Sequence, residues 1–508
     1  MNAASVPLRT WLAFLAMCGG TFMAVLDTQI VVSSLPDIAA SLGATVKEAS
    51  WIQTAYMIAE VIMIPLAGWL SGALSLRRLY TLASTLFTVA SLCCALSWSL
   101  ESLVCVRILQ GLCSGLLAPL LYQGIYLLFP RERQPGVTLY VVLVVSLAPI
   151  IGPTLGGWIT QNWSWRWLFL VNLLPGVLVS ATVFAFMQRE GAPLERLKRL
   201  DLAGILLLAL FLGPLEYVLG KGPDNDWFDS QPILVCSVLA AASCALLVWR
   251  ELTCRHPVID LRSFGDRNFS TGCLFNFAMG IGLFGSGYLM VLFLGAIKRY
   301  NSQQIGEVMA VPGVAMLVTL PLLRMLRKRL DGRLCLALGL ALLGCAFLTN
   351  ADMTATVGFD GLFWPQVMRG TAIMMCLSPV TELALGRLPI AAIPNATGLY
   401  SLMRSLGGGI GIAFINFLVE RRSAFHYWRL AEGLNPDRLP EYLDALQEAL
   451  TARVADLDQA GRMGTGLAAA LVRRESALLA YNDTWLLLAA LFGIMLLLLP
   501  AVRGARGR

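Results

Sequence analysis

Fourteen apolar runs, each about as long as a bilayer's hydrocarbon core is thick, constrain this chain more than any motif in it. A membrane-crossing helix needs roughly 20 mainly apolar residues. The runs lie at 11–33, 49–70, 79–98, 102–124, 137–159, 166–187, 202–220, 232–249, 268–296, 304–324, 334–350, 362–384, 396–419 and 484–502. Inside a bilayer every backbone N–H and C=O must be satisfied within the protein. Runs of this length therefore read as helices, and the expected fold class is an all-α integral membrane protein with 14 transmembrane helices. Composition agrees: of 508 residues, 57% are hydrophobic and 14% charged, with a mean hydropathy of +0.71. An ordinary soluble domain is about 25% charged. So much apolar surface excludes a soluble enzyme, a disordered chain and a nucleic-acid-binding domain. The first run has the length of a span and lacks a small-residue cleavage site, so it reads as a helix that is kept.

The formal charge of +7 is explained by where the cations sit. With the N-terminus inside, the inner loops hold Arg77 and Arg78, Arg131 and Arg133, Arg189 to Arg199, Arg250 to Arg267, Arg324 to Arg333, and Arg503 to Arg508. The short outer loops hold only Lys47, Arg166, Lys221, Lys298 and Arg299. Such a bias places cationic loops in the cytoplasm, so both termini are expected there and no nucleic-acid partner is needed. The charged stretch from Arg189 to Asp201 follows six spans and reads as the connection between two halves. The stretch 420–483 is the only long hydrophilic one and is expected outside. Within it Leu443, Leu446, Leu450, Val454 and Leu457 recur at three- and four-residue steps, which predicts an amphipathic helix from near Pro440. A second helix is predicted over 466–480.

Several kinds of chemistry have no motif here. No G-x-x-x-x-G-K-[ST] loop is present, so ATP hydrolysis by this chain is not expected. A G-x-G-x-x-G at Gly280, Gly282 and Gly285 sits within an apolar run with no strand before it, and reads as close helix packing. The cysteines other than Cys254 fall in apolar runs, no C-x-x-C occurs, and His256 and His426 are the only histidines. No metal and no cofactor is expected.

The informative residues are ionisable groups inside spans. Such a group costs about 2.5–3.5 kcal/mol at mid-membrane on insertion scales, so it faces the bundle interior and does work there. Asp27, Glu60, Arg107, Arg369 and Arg404 are of this kind, with Glu382 and Glu216 nearer helix ends. Burial favours the protonated form of a carboxylate and a nearby arginine favours the ionised form. Asp27 and Arg107 are therefore the candidate proton-coupling pair, or else a structural buried pair. Glu60, Arg404 and Arg369 are candidates for the substrate cavity or for coupling. In span 5 Gly152, Pro153, Gly156 and Gly157 fall within six residues, and span 13 holds Gly407, Gly408, Gly409 and Gly411. Small residues let membrane helices touch closely, so both stretches are expected where helices pivot.

Leu26-Asp27-Thr28-Gln29-Ile30-Val31-Val32 with Leu35-Pro36, Arg107-Ile108-Leu109-Gln110-Gly111, Gly152-Pro153 with Gly156-Gly157, and Trp165-Arg166-Trp167 through Asn172, Pro175 and Gly176 together resemble motifs of the major facilitator superfamily. Within it they are most similar to the fourteen-span drug:proton antiporters of the EmrB type. The resemblance implies two six-helix bundles around a midplane cavity, with 1–190 as the first. It implies 191–265 as a linker with two extra spans, and 266–508 as the second bundle, including the periplasmic loop 420–483. It implies proton-driven export of amphipathic organic compounds across a bacterial inner membrane. A periplasmic adaptor and an outer-membrane channel are the implied partners. A proton symporter for one metabolite, or a membrane sensor without transport, is the alternative. One departure stands out. In the loop after span 2 the family pattern G-x-L-x-D-R-x-G-R-[RK] has Gly72 where Asp would stand and Ser75 for the second Gly, so a charge latch based on that Asp is not expected here.

Overall fold

The computed structural model describes residues 6–188, 191, 201–225, 227–254, 257–326, 330–433 and 457–501, and these are helical apart from short turns. The first set of helices is α1 (Leu8–Ser33), short α2 (Leu35–Leu42) and α3 (Val46–Ala49), α4 (Trp51–Leu74), α5 (Leu76–Ala95), α6 (Leu100–Leu128), α7 (Gln134–Asn162), α8 (Trp167–Leu170) and α9 (Leu173–Phe186). A hairpin follows, α10 (Leu202–Lys221) and α11 (Gln231–Thr253). The last set is α12 (Arg267–Gly280), a π-turn at Ile281–Gly285, α13 (Ser286–Ala296), α14 (Ser302–Leu326), α15 (Gly332–Asn350), α16 (Phe359–Leu385), α17 (Ile393–Gly433) and α18 (Leu457–Leu498).

Among the described residues, twelve helices are long and apolar enough to cross a membrane, and α7 makes a thirteenth if its two segments, bent by 42° about residues 149–150, count as one span. The sequence places Pro149 at that bend, and proline kinks a helix by removing a backbone donor. The expected count of fourteen is thus not reached by length and composition. The segment predicted at 362–384 lies in α16, whose apolar run is broken by Gln366, Arg369 and Thr371. All the same, this is a multi-pass membrane protein.

The helix starts have local causes. Ser99 and Ser102 bond each other's backbone N–H in a capping box at α6, and Asp266 accepts from Phe269 N at 2.9 Å to start α12. Asp201 accepts from Gly204 N at 3.0 Å and from Arg250 at 2.6 Å, tying the two hairpin helices together at one end. The Arg250 guanidinium holds the Asp201 carboxyl below the usual carboxylate range. Leu82, Leu86 and Val89 on α5, Leu174, Val177 and Leu178 on α9, and Leu234, Val235 and Val238 on α11 are exposed. In a bilayer these faces meet lipid and need no further protein cover.

The hydrophilic stretch differs from the expectation. The helix predicted from near Pro440 lies outside the described residues. The second predicted helix is not a separate element, because 466–480 belongs to α18, which runs on without a break into the last span. No proline interrupts Leu467 to Leu498 and Ala468-Ala469-Ala470 favours helix. The helix α17 likewise extends to Gly433. The two are clasped by Asp483 within α18, which accepts from Arg422 of α17 at 2.6 Å and lies 2.7 Å from His426 Nε2.

The first and last sets meet along α4 with α17 and along α7 with α14, and α10 packs on both α4 and α17. At the Arg-rich end, Gly68 of α4 lies against the backbone of Pro394 and Asn395, and Gly398 of α17 lies against Ile64 and Pro65. Asn395 also accepts from Asp260 N and donates to Asp260 O, both at 3.0 Å. Arg324 donates to the Tyr140 hydroxyl at 2.5 Å and Tyr126 to Thr381 O at 3.3 Å. Backbone contact, the charge-assisted Arg324–Tyr140 hydrogen bond and the neutral Tyr126–Thr381 one join the sets at this end.

Ser75, where the family pattern has glycine, sits at φ +72° and ψ 151°. That region suits glycine, and a residue with a Cβ is strained there by about 1–3 kcal/mol. The Ser75 hydroxyl is also buried without a partner. Relief of both terms outweighs the extra chain entropy that a glycine loses on folding. Ser75→Gly is expected to raise the thermal unfolding midpoint in detergent, with a gain of about 1 kcal/mol. An unchanged or lower midpoint would mean that the backbone there is not strained.

Candidate functional site

Asp27 lies deep in α1, where Leu26, Ile30 and Val31 are buried around it. Arg107 comes from the second turn of α6, and the two meet at 2.5 Å with neither side chain exposed at all. The other Asp27 oxygen accepts from Asn172 at 2.7 Å and from Gln110 at 3.3 Å. Gln110 stands one turn beyond Arg107 on the same face and accepts from its guanidinium at 2.8 Å. Ser91 of α5 closes the ring, accepting from Asn172 at 3.0 Å and Gln110 at 3.3 Å and donating to Phe169 O at 3.0 Å. The Tyr56 ring covers the guanidinium at 4.0 Å.

Four helices and one helix start thus converge on one carboxylate. A buried ion pair is costly to desolvate and stable only when its remaining groups are bonded. Both Asp27 oxygens and two of the three guanidinium nitrogens are bonded, and Arg107 Nη2 is left without a partner among the described residues. Protonating Asp27 would remove the negative charge and leave Arg107 as a buried cation, so proton uptake cannot leave the surroundings unchanged. Gln110 and Asn172 lie within stretches that already stood out in the sequence, but neither was chosen as a site residue. Ser91 and the guanidinium-covering role of Tyr56 carried no sequence signal.

The other candidates are scattered around a second centre. Glu60 of α4 accepts from Ser114 of α6 at 3.0 Å. Arg404 of α17 donates to the Tyr122 hydroxyl of α6 at 2.6 Å and lies over that ring at 5.2 Å. Tyr400 stands edge-on to Tyr122 at 5.6 Å. Glu216 of α10 is buried, with its carboxylate facing Gly409 of α17. Arg369 lies apart from both groups, on α16, where it donates to Ser286 O at 3.3 Å. Glu382 lines a cavity of about 420 Å³ at the Arg-rich end, with Tyr126, Arg131, Arg333 and Arg387.

The small-residue stretches each meet the first long helix of their own set. A Cβ on Gly152 would strike Gln29, and one on Gly156 would strike Ile30 and Ser33 of α1. Pro153 and Gly157 lie partly buried beside them. In α17, Gly407 lies against Phe277 and Gly411 against Ile281. The glycines of the G-x-G-x-x-G pattern do the same work: Gly280 meets the Arg404 backbone, Gly282 meets Phe492 and Gly285 meets Ile415. They allow close helix approach, as read from their apolar setting.

A bundle of long apolar helices, with a sealed ion pair between spans and glycines at the helix contacts, defines a membrane transporter. Residues 17–412 match the Major Facilitator Superfamily, and the chain belongs to that family. It is 37% identical over 443 residues to the colistin resistance protein EmrB of Acinetobacter baumannii, covering 87% of this chain and 86% of that one. It is 29% identical over 484 residues to the multidrug export protein EmrB of Escherichia coli K12, covering 95% and 93%. With the fatty acid resistance protein FarB of Neisseria gonorrhoeae it shares 31% identity, covering 82% of each chain. Among solved structures, the human organic anion transporter MFSD10 superposes with a TM-score of 0.60 at 14% identity, covering 96% of this chain and 99% of that one. That last likeness concerns the fold alone.

Proposed function

We propose that this chain is a proton-driven antiporter that exports amphipathic organic compounds across the bacterial inner membrane. The observation that carries the reading is the sealed Asp27–Arg107 pair. It is the one ion pair with both partners fully buried among the described residues, and its charge state is tied to the packing of four helices. The relatives' names point the same way, toward export of and resistance to amphipathic compounds. Glu60, Arg404, Tyr122 and Tyr400 then line the path of the substrate. The division at 1–190, 191–265 and 266–508 follows, with the hairpin α10–α11 as the insert. The cation bias of the loops puts both termini in the cytoplasm.

The outer ends of α17 and α18 suit a periplasmic adaptor that passes substrate to an outer-membrane channel. Phe425 and Leu467 are exposed there, together with Trp428 at 67% and Leu471 at 52%. Apolar side chains on a hydrophilic stretch mark a surface that something covers.

The test is exchange in proteoliposomes. An imposed pH gradient is expected to drive a fluorescent amphipathic compound against the direction of proton flow. Compound and proton moving together would make the protein a symporter. An absence of any gradient-driven movement would leave it a sensor.

A further inference from the structure

Arg369 is 2% exposed, and among the described residues no carboxylate forms an ion pair with it. Its contacts are Ser286 O at 3.3 Å and the Met309 sulfur at 3.9 Å, and its Nε has no partner. Gln366 stands one turn away on the same helix, fully buried, with both of its side-chain polar atoms unpaired. The Ser286 hydroxyl is also fully buried and unpaired. A buried cation without a counter-charge is costly, and each orphaned buried polar group adds to that cost.

The Asp27 site shows what is different here. Asp27 stands nineteen residues beyond Leu8, where its span begins, and Ser286 stands nineteen beyond Arg267, where its span begins. Asp27 bonds Arg107 through its carboxylate, with Gln110 three residues after that arginine; Ser286 accepts from Arg369 through its backbone oxygen, with Gln366 three residues before that arginine. The carboxylate of the first site has a serine hydroxyl as its counterpart in the second. The polar partners have changed as well. Where Ser91 and Asn172 serve Asp27, no side-chain hydrogen bond to Gln366 or to the Ser286 hydroxyl is present among the described residues.

We propose that Arg369, Gln366 and Ser286 form a binding site for a small inorganic monoanion of the size and charge of chloride, standing where a carboxylate stands in the Asp27 site. The guanidinium Nε, the Gln366 amide and the Ser286 hydroxyl are all donors. All three residues are almost fully buried, so a small ion without an organic body is the ligand that fits their setting. The site needs no proton-coupling role, and it is independent of what the protein exports.

The test uses the full chain purified in detergent in a gluconate buffer, with chloride exchanged for gluconate at constant ionic strength so that screening is unchanged. A ligand bound only by the folded state raises its stability in proportion to the logarithm of its concentration. Chloride in large excess over its dissociation constant is expected to raise the unfolding midpoint by about 3 °C or more, and bromide to do the same. Ser286→Asp supplies the carboxylate from the protein. That variant is expected to unfold in gluconate near the wild-type midpoint in chloride and to lose the response to chloride. Arg369→Gln should lose the response as well. If either variant fails to fold, the comparison of chloride, bromide and gluconate on the wild-type protein decides. A wild-type midpoint indifferent to chloride, or a full chloride response in folded Ser286→Asp or Arg369→Gln, would overturn the site.

Discussion

Asp27→Asn is expected to fold and to stop proton-driven export, reducing gradient-driven transport in vesicles to the level of protein-free controls. Asparagine has the shape of aspartate and no proton to exchange near neutral pH. Its oxygen can still accept from Arg107, and the Tyr56 ring still covers the guanidinium face. The variant nevertheless leaves a buried cation without its anion. Removing one partner of a buried pair destabilises by about 3–5 kcal/mol, so a lower unfolding midpoint accompanies the loss of transport. The double variant Asp27→Asn with Arg107→Gln separates the two effects. It restores neutrality, so stability should recover toward wild type while transport stays absent. Non-additivity of this kind is what a direct pair produces. Arg107→Lys keeps the charge but loses the planar guanidinium whose Nη1 bonds Asp27 and Gln110 while its Nε donates to Ile52 O and its face lies against Tyr56, and partial transport is expected. Full proton-driven export by Asp27→Asn would remove this residue from the coupling role.

The sequence made Asp27 and Arg107 visible because charge inside an apolar run is rare and expensive. It could not show that the two meet, since they are eighty positions apart and only tertiary packing brings α1 to α6. Ser91 stayed hidden for a related reason: a serine in a span is common, and nothing in α5 alone says which way it faces. Arg369 and Arg404 looked alike as membrane arginines, yet one is held by a tyrosine hydroxyl and the other by a backbone carbonyl. The sequence run at 362–384 reads as a span, and α16 does hold it, but α16 is not apolar enough to count by length and composition because it carries Gln366, Arg369 and Thr381 on buried positions. A helix surrounded by other helices can be polar on more than one side. The hydrophilic stretch misled in the opposite direction. The helix predicted over 466–480 carries Arg473, Arg474 and Glu475 and is present, but as part of α18, continuous with the last span and not a separate hairpin element. The small-residue stretches were legible as contact sites, while their partners were not. The glycine pattern says only that something comes close.

Gly156→Val is expected to cut export by roughly ten- to a hundredfold while the protein still inserts and folds. A Cβ at this position would press on the Ile30 backbone and the Ser33 hydroxyl of α1, and backbone yields little. Inserting methyl groups into a packed interior costs about 1–3 kcal/mol. In an alternating transporter that penalty falls on whichever conformer holds α1 and α7 together. A bias of about 1–3 kcal/mol between two conformers corresponds to roughly five- to 150-fold in their balance. Ile30 also lies one turn from Asp27 on α1, the residue proposed for coupling. Gly156→Ala adds one methyl and should lose less, giving a graded series. Gly220→Ala, on α10 with nothing within 4 Å of its added Cβ, should leave export unchanged. The measurement is the initial rate of gradient-driven export, normalised to folded protein by size-exclusion recovery. Wild-type export by folded Gly156→Val would show that close approach of α1 and α7 is not part of the transport cycle, and that the span 5 glycines serve packing alone.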